Sequence, residues 1–195
     1  MVLSTPAILK QVLEERVKID ITDSDLIPAA VLILLYAKNG SYHVLLNKRS
    51  ELVEYHKGEI SFPGGARDPE DRDFIDTALR ETEEEMGVNR RDVTILGQLD
   101  DIVTRTKFGV RVYVGTIPYP YPFKPSADEI AEVLEIPISA LQDPRNLLQD
   151  ARLLDGNLDI SISYACDGHV VFGATATILE QFLDIYSQLV LQEGG

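Results

Sequence analysis

Residues 64–88 read GGARDPEDRDFIDTALRETEEEMGV, and they carry the most informative pattern in the chain. Over residues 73–86 apolar side chains recur at helical spacing, which predicts an amphipathic helix. The residues on its apolar face are Ile75, Ala78, Leu79, Thr82 and Met86. Gly87 follows, and glycine is suited to the left-handed conformation that often ends a helix. Gly64 and Gly65 permit tight backbone geometry and close approach to a phosphate. The segment therefore predicts a glycine-containing loop followed by a helix.

The polar side of this helix is unusually acidic. Glu81 and Glu85 are four residues apart, so they lie about 40° apart on one face, and Glu84 lies about 60° to the other side of Glu81. Like charges at this spacing destabilise a helix by about 0.2–0.5 kcal/mol per pair. A bound divalent cation would remove the repulsion, and Arg80 could pair with Glu84 or orient the carboxylates. The helix therefore predicts a site for a divalent cation.

The net charge of the chain limits the classes of molecule that it is expected to bind. The 195-residue chain has a formal net charge of −14, which argues against nucleic acid as the main partner because a polyanion requires a basic surface. A small phosphorylated substrate remains compatible, since a divalent cation can bridge two sets of anions. Between residues 66 and 90 there are nine acidic and four basic residues. The excess of acidic residues is thus concentrated in the segment that is predicted to bind a cation.

Other features of the sequence indicate the cellular compartment of the protein. The single cysteine, Cys166, excludes an internal disulfide and fits a reducing cytoplasm. No apolar run is long enough to span a bilayer, so we expect no membrane partner. Residues 6–18 mix charged and apolar side chains, which predicts an amphipathic helix and not a signal peptide. We expect a cytoplasmic protein.

The remaining pattern predicts a mixed sheet with few helices. Residues 29–36 form a continuous apolar run that predicts a buried strand, and Asn39-Gly40 predicts a hairpin to a strand at 42–46. Further strands are predicted at 58–62, 93–99, 110–117, 130–136, 158–165 and 170–172, with helices at 137–141 and 174–191 and a hairpin turn at 167–169. The fold class is α/β or α+β. We expect one domain with a core at about 28–145, followed by a C-terminal hairpin and helix at about 150–191.

Residues 65–88 resemble the Nudix box, written Gly-x5-Glu-x7-Arg-Glu-U-x-Glu-Glu-x-Gly-U, with U apolar. The second half matches at residues 80–88, with Thr82 at an apolar position. The first half matches when one extra residue precedes the helix, which gives Gly65 the glycine position and Asp71 the first acidic position. The resemblance implies an α/β/α sandwich with a mixed sheet, in which this helix carries the metal site.

The lengthened box resembles the coenzyme A pyrophosphatase branch of that family, and so do residues 45–65, LLNKRSELVEYHKGEISFPGG. The branch usually reads Leu-Leu-Thr-x-Arg-Ser, then an Arg within a spacer, then Gly and Phe-Pro-Gly-Gly. Asn47 replaces the Thr here, and Glu54 stands where the spacer Arg is expected. The second departure removes a positive charge that would help to recognise the 3′-phosphate of coenzyme A.

The resemblance implies a Mg²⁺- or Mn²⁺-dependent hydrolase and assigns roles to individual residues. Glu81 and Glu85 match the metal ligands, with Glu84 a third. The general base is either Glu81 or a residue of a later loop, for which Glu129 is the candidate and Glu132 the next. The catalytic candidates are Glu81, Glu84, Glu129 and Arg80. The substrate-binding candidates are Arg49, Ser50, His56, Gly64, Gly65 and Arg67.

Three functions are compatible with these residues. The first is hydrolysis of coenzyme A or its acyl derivatives to 4′-phosphopantetheine species and adenosine 3′,5′-bisphosphate. The second is a Nudix pyrophosphatase for ADP-ribose, a dinucleotide or a nucleoside triphosphate, which the departures at Asn47 and Glu54 favour. The third is a non-catalytic ligand sensor, which the intact glutamates disfavour. The expected partner is a small nucleoside diphosphate derivative, and the sequence leaves open whether the chain forms a homodimer.

Overall fold

The structure, a computed structural model, describes residues 5–52, 56–154 and 157–193, so Glu54 lies outside the described residues. The strands are β1 (Ile27–Lys38), β2 (Ser41–Arg49), β3 (Ile60–Ser61), β4 (Gly64–Ala66), β5 (Thr94–Gln98), β6 (Ile102–Val103), β7 (Phe108–Thr116), β8 (Ile130–Pro137), β9 (Leu147–Leu154), β10 (Asn157–Cys166) and β11 (His169–Val171). The helices are α1 (Thr5–Glu15), α2 (Phe74–Met86), α3 (Ile138–Leu141) and α4 (Gly173–Glu193), with a 3₁₀ turn at Arg90–Asp92. None of the helices within this part of the chain is both long and apolar enough to cross a membrane.

The main sheet is mixed, as predicted. β1 and β2 form the antiparallel hairpin through Asn39 and Gly40, whose φ angles are 52° and 80°. On its other edge β1 runs parallel to β7, with Ile27 opposite Phe108 and Leu35 opposite Thr116. The strand order is β3-β2-β1-β7-β5, with β4 on β1, β6 on β7 and β8 on β2.

Successive residues of β1 pack on opposite faces of the sheet. Ile33 and Leu35 belong to a core that includes residues of α1 and α4, such as Leu9 and Leu179. Leu32 and Leu34 belong to a second core on the α2 side, which includes Ala78 and Met86. Because helices cover both faces, the strand has no polar side, which explains its continuous apolar run. The predicted three-layer α/β/α arrangement is confirmed.

Residues 60–66 lie between β1 and β2 at the end of the sheet away from the hairpin that joins these two strands. β4 pairs with Ala29–Val31 of β1, while β3 pairs with Asn47 and Lys48 of β2. A Cβ on Gly64 would lie 2.4 Å from the carbonyl oxygen of Ala30, so no side chain fits there. The predicted strand over 58–62 is wrong in extent, because Gly58 has a left-handed φ of 67° and the extended segment is only Ile60–Ser61. The pairing of β4 inserts the Gly-Gly segment into the sheet.

The predicted boundaries of the acidic helix are confirmed. Asp73 caps the start of α2, where its side chain accepts a hydrogen bond from the backbone N–H of Asp76 at 2.8 Å. Gly87 ends it in the left-handed conformation, with φ 67°, and its N–H donates to the carbonyl of Glu83. Both ends are therefore fixed by residues adjacent to the helix.

The C-terminal part forms a second sheet in the order β11-β10-β9. The predicted hairpin turn is present at Asp167 and Gly168, with φ angles of 51° and 79°. β9 was not predicted, because its leucines come in adjacent pairs and do not alternate with polar residues. Tyr164, Cys166 and Val171 join the core that α4 covers, so this sheet packs on the side of the main sheet opposite α2.

Candidate active site

Glu85 is the buried centre of the site. Its side chain is 2% exposed. Its Oε2 accepts hydrogen bonds from Asn47 Nδ2 and from the backbone N–H of Gly64, both at 3.1 Å, and its Oε1 accepts one from Arg49 Nη1 at 3.3 Å. Three separate segments, β2, β4 and α2, therefore converge on one carboxylate.

Burial strongly affects the ionisation of Glu85. Loss of solvation raises the pKa of its carboxyl to about 7, although the donors Gly64 and Arg49 favour the charged form. The negative charges of Glu81 and Glu129 raise this pKa further. An ionised Glu85 would be stabilised by additional positive charge at this point.

Glu81 lies one helical turn earlier, in contact with the Gly-Gly segment. Its side chain is 19% exposed, and burial raises its pKa while the Arg80 guanidinium opposes the rise. A Cβ added to Gly65 would lie 2.6 Å from Oε1 of Glu81. The backbone at Gly65 and the carboxylate of Glu81 thus touch only because residue 65 has no side chain.

Arg80 connects the loop to the acidic helix. Its guanidinium binds Asp71 twice, at 2.8 and 2.9 Å, Glu81 at 2.8 Å, Glu84 at 3.0 Å and the carbonyl of Ala66 at 3.2 Å. Arg80 holds the pKa of the buried Asp71 carboxyl well below its usual range. The expected contact of Arg80 with Glu84 is present, and the same group also orients Glu81.

The three glutamates differ in their surroundings more than the helical spacing suggests. Glu85 points inward against β2, whereas the Glu84 side chain is 56% exposed and held by Arg80. Among the described residues, no group of three or more acidic, histidine or cysteine side chains is placed to hold a metal ion by itself. The structure therefore separates the exposed Glu84 from the buried Glu85, and the roles of the three glutamates as metal ligands stay a prediction.

The residues nevertheless fit a hard divalent cation. Glu81 and Glu85 lie one helical turn apart and both border the Gly-Gly segment, Glu85 at the N–H of Gly64 and Glu81 against Gly65. Such a pair of oxygen donors suits Mg²⁺. Mg²⁺ commonly uses one or two protein carboxylates, keeps several waters and completes its coordination with substrate phosphates. These two residues could hold the cation, with Glu84 at the exposed side.

The loop after β7 brings Glu129 to the same site. The N–H groups of Lys124 and Ser126 donate to the carbonyls of Met86 and Glu85, at 3.0 and 2.9 Å. The loop thereby satisfies the last turn of α2. The Glu129 carbonyl accepts from the N–H of Ser50 at 2.7 Å, and its exposed carboxylate raises the pKa of both Glu81 and Glu85.

Glu132 lies elsewhere. It is opposite Lys48 in the pairing of β8 with β2, one residue from Asn47, so it projects from the other face of the sheet. Its carboxylate lies 3.4 Å from Nε2 of His169. The structure therefore favours Glu129 over Glu132 as the acid of the later loop.

The other substrate-binding candidates are less directly connected to the carboxylates. Ser50 is buried, and its Oγ accepts a hydrogen bond from the N–H of Leu52 at 3.1 Å. The ring of His56 contacts Glu59 at 2.9 Å. Arg67 donates to the carbonyls of Asp71 and Arg72, at 3.1 and 3.4 Å, and its guanidinium lies 5.0 Å from the ring centroid of Phe74.

Asn47 and Ser61 also belong to the site, although neither was predicted as a site residue from the sequence. Asn47 is 0% exposed and contacts Glu85, and its Oδ1 accepts a hydrogen bond from Ser61 Oγ at 2.8 Å. The available signal was an amide side chain directly after the apolar residues 44–46, because a buried polar group requires a partner. The sequence could not identify that partner.

Comparison with known proteins gives a consistent result. A family model described as the NUDIX domain matches residues 26–155. The uncharacterized Nudix hydrolase NudL of Photorhabdus laumondii is 34% identical over 157 residues, which cover 78% of this chain and 81% of that protein. NudL of Yersinia enterocolitica is 34% identical over 154 residues, 78% of each chain.

Solved structures support the fold. RenU, a Nudix hydrolase from M. smegmatis, aligns with a TM-score of 0.57 and 17% identity over 83% of this chain and 86% of its own. The NUDIX domain of Shewanella oneidensis NrtR, complexed with ADP ribose, aligns with a TM-score of 0.53 and 17% identity over 83% of this chain and 89% of its own. At these identities the likeness extends to the fold alone.

Proposed function

Because the chain belongs to the Nudix hydrolase family, we propose that it hydrolyses the pyrophosphate bond of coenzyme A or its acyl derivatives. The products are 4′-phosphopantetheine species and adenosine 3′,5′-bisphosphate, and the reaction requires Mg²⁺ or Mn²⁺. Pyrophosphate hydrolysis is the activity of the family, and Nudix hydrolases generally use divalent cations. The choice of coenzyme A is the specific part of the proposal.

The convergence on Glu85 is the observation that carries the proposal. Residues 45–65 resemble the coenzyme A branch, and two residues that match the branch pattern meet at this carboxylate: Arg49 from β2 and Gly64 from β4. The segment on which the branch assignment rests is thus part of the same site as the acidic helix.

In this proposal Glu81 and Glu85 hold the cation, and Glu84 lies at its exposed side. The cation would polarise phosphoryl oxygens, neutralise their charge and help to ionise the attacking water. Arg49 binds a substrate phosphate. Its Nε is buried and has no hydrogen-bond partner among the described residues, so a donor remains available for an anionic oxygen.

Hydrolysis then needs a proton acceptor. Water attacks one phosphorus of the P–O–P bridge, and the bridging oxygen leaves with the other phosphate. The proton of the water passes to a carboxylate, for which Glu129 and Glu81 are the candidates. Glu129 is exposed, and its loop is bonded to the Glu85 carbonyl through Ser126 and to Ser50, the neighbour of Arg49, so it is a proton acceptor beside the site that is not assigned to the cation.

The second candidate is a Nudix pyrophosphatase for ADP-ribose, a dinucleotide or a nucleoside triphosphate. The replacement of the spacer arginine by Glu54 favours it, because a site for a 3′-phosphate would be expected to gain positive charge. A non-catalytic sensor is less well supported, since Glu81, Glu84 and Glu85 are all retained.

A substrate panel tests the proposal. The purified chain would be incubated with Mg²⁺ and coenzyme A, acetyl-coenzyme A, dephospho-coenzyme A, ADP-ribose, NADH or nucleoside triphosphates, and the products separated by chromatography. We expect release of adenosine 3′,5′-bisphosphate from coenzyme A, several-fold faster than turnover of ADP-ribose. Equal or preferential turnover of ADP-ribose would overturn the branch assignment, and dephospho-coenzyme A isolates the contribution of the 3′-phosphate.

A further inference from the structure

The side chain of Asn47 is the buried link between β3 and the acidic helix. It is 0% exposed, and both ends of its amide are engaged. Nδ2 donates to Oε2 of Glu85 at 3.1 Å, and Oδ1 accepts from Oγ of Ser61 at 2.8 Å. A buried amide with only one satisfied end would be destabilising, so the two contacts depend on each other.

The chemistry of the partners fixes which end of the amide faces Glu85. Oε2 of Glu85 already accepts from the N–H of Gly64, and a carboxylate that holds a cation is ionised and can only accept hydrogen bonds, so the NH₂ end faces it. The oxygen end then needs a donor, which the hydroxyl of Ser61 supplies. Ser61 is directly opposite Asn47 in the antiparallel pairing of β2 with β3, so the sheet register holds this donor in place.

The contacts also fix the rotation of the Glu85 carboxylate. Oε2 receives two N–H donors, from Asn47 and Gly64, whereas Oε1 receives one, from Arg49 at the longer distance of 3.3 Å. Without Asn47 the carboxylate would keep only the backbone donor on Oε2 and could turn toward Arg49.

We infer that Asn47, oriented by Ser61, is a positioning residue that sets the affinity of Glu85 for a divalent cation. The inference rests on the proposed cation site but not on the choice of coenzyme A as substrate. The replacement of Thr by Asn at this position is then a change in how the ligand is held, and it carries no information about which substrate is bound.

The test measures Mn²⁺ binding to the full chain without substrate, by electron paramagnetic resonance of free Mn²⁺. Asn47→Leu removes the donor at similar volume, and we expect the Kd for Mn²⁺ to rise about 10- to 100-fold, the usual effect of losing a group that orients a ligand. Ser61→Ala keeps the amide but removes the hydroxyl that orients it, and it should raise the Kd by a smaller factor. Asn47→Thr restores a hydroxyl donor and should recover part of the affinity.

Thr82→Val is the matched control. Thr82 is also buried, and its hydroxyl donates to the carbonyl of Ala78 within the same helix at 2.6 Å, so the variant loses a buried hydrogen bond that does not involve Glu85. Circular dichroism and thermal melting establish that each variant is folded at the assay temperature. Because Ser61 is only partly buried, its variant tests the inference even if Asn47→Leu does not fold.

Two results would overturn the inference: an unchanged Mn²⁺ affinity in folded Asn47→Leu or Ser61→Ala, or an equal loss in Thr82→Val. A second measurement, the Mn²⁺ concentration for half-maximal hydrolysis, should rise in parallel with the Kd, whereas a purely structural role would lower the melting temperature alone. If coenzyme A is not hydrolysed but the Kd values change as expected, only the substrate assignment fails.

Discussion

Arg80 binds Asp71 through two parallel hydrogen bonds, from Nε to Oδ1 at 2.8 Å and from Nη2 to Oδ2 at 2.9 Å. The Asp71 side chain is 4% exposed and that of Arg80 is 24% exposed, so the carboxylate of this pair is largely removed from solvent. The same guanidinium holds Glu81 and Glu84. One residue thus joins the loop that follows Gly65 to the carboxylates of α2.

Removal of this arginine should destabilise the fold as well as impair activity. Arg80→Ala leaves the Asp71 charge buried without its partner, and we expect a loss of about 3 kcal/mol in the free energy of unfolding, measured in urea. Arg80→Lys should lose less unfolding free energy than Arg80→Ala but still be less stable than the natural chain, because an ammonium group cannot make both parallel bonds. Arg72→Ala is the control, since that side chain is 79% exposed and its ion pair with Asp76 should contribute less than about 1 kcal/mol. Equal losses in Arg80→Ala and Arg72→Ala would contradict the structural role of the buried pair.

Gly65→Ala should separate activity from stability. The added Cβ would lie 2.6 Å from the Glu81 carboxylate, which is the mobile end of a long side chain and can move aside. We therefore expect a change in melting temperature of only a few degrees, but a loss of at least about tenfold in kcat/KM, equivalent to about 1.4 kcal/mol. Gly109→Ala, where the Cβ would meet Leu26 at 3.3 Å, is the control and should retain activity. Near-normal activity of Gly65→Ala would show that the position of Glu81 is not critical.

Glu85→Gln should abolish most of the activity and preserve the fold. The amide keeps the shape of the side chain but loses the charge that would hold a cation, and a contribution of several kcal/mol corresponds to a decrease in kcat/KM of about a hundredfold or more. Glu83→Gln is matched to it on the same helix, because Glu83 pairs with Arg90 at 3.2 Å on the surface. Steady-state kinetics at saturating Mg²⁺ should show little change in Glu83→Gln. Comparable activities of the two variants would reject Glu85 as a metal ligand.

The first turn of α2 should make stability sensitive to acid. The Arg72 guanidinium beside Asp76 lowers the pKa of that carboxyl to about 2, below the value of about 3.9 expected in the unfolded chain. A lowered folded-state pKa contributes stability that is present above the unfolded value and is lost as the pH falls toward the folded one. Asp76→Asn should therefore be less stable than the natural chain at pH 7, with the difference shrinking between about pH 4 and pH 2. Urea unfolding of both proteins at several pH values measures this difference, and a constant gap would contradict the assignment.

Local patterns in the sequence predict the helix and its ends well. The apolar spacing over 73–86 and Gly87 act within one segment, and the structure has the helix over Phe74–Met86 with Gly87 at its end; the role of Asp73 as the cap was not predicted. The apolar run of β1 likewise predicts burial on both faces. Such features depend on residues that are close together in the sequence, so they can be predicted without knowledge of the fold.

Contacts between distant segments could not be predicted in the same way. β4 exists because Gly64–Ala66 pairs with a strand more than 30 residues earlier, and its three residues have no periodicity of their own. The link from Ser61 through Asn47 to Glu85 depends on sheet register and on the position of α2. The helical spacing also could not show that Glu85 turns inward while Glu84 remains exposed, since that difference arises from packing against β2.

The anchoring of residues 124–126 on the end of α2 makes this helix the support of the loop that follows β7. The loop is tied to Met86 and Glu85 at its second half, where Gly87 leaves room for the backbone of Lys124. Residues 119–122 are held elsewhere, because the ring of Tyr119 stacks on Tyr36 and the hydroxyl of Tyr121 donates to Asp92. The second half of the loop, which leads to Glu129, is thus fastened to the helix end that carries Glu85, so a movement of α2 would carry both acids with it and change their spacing little.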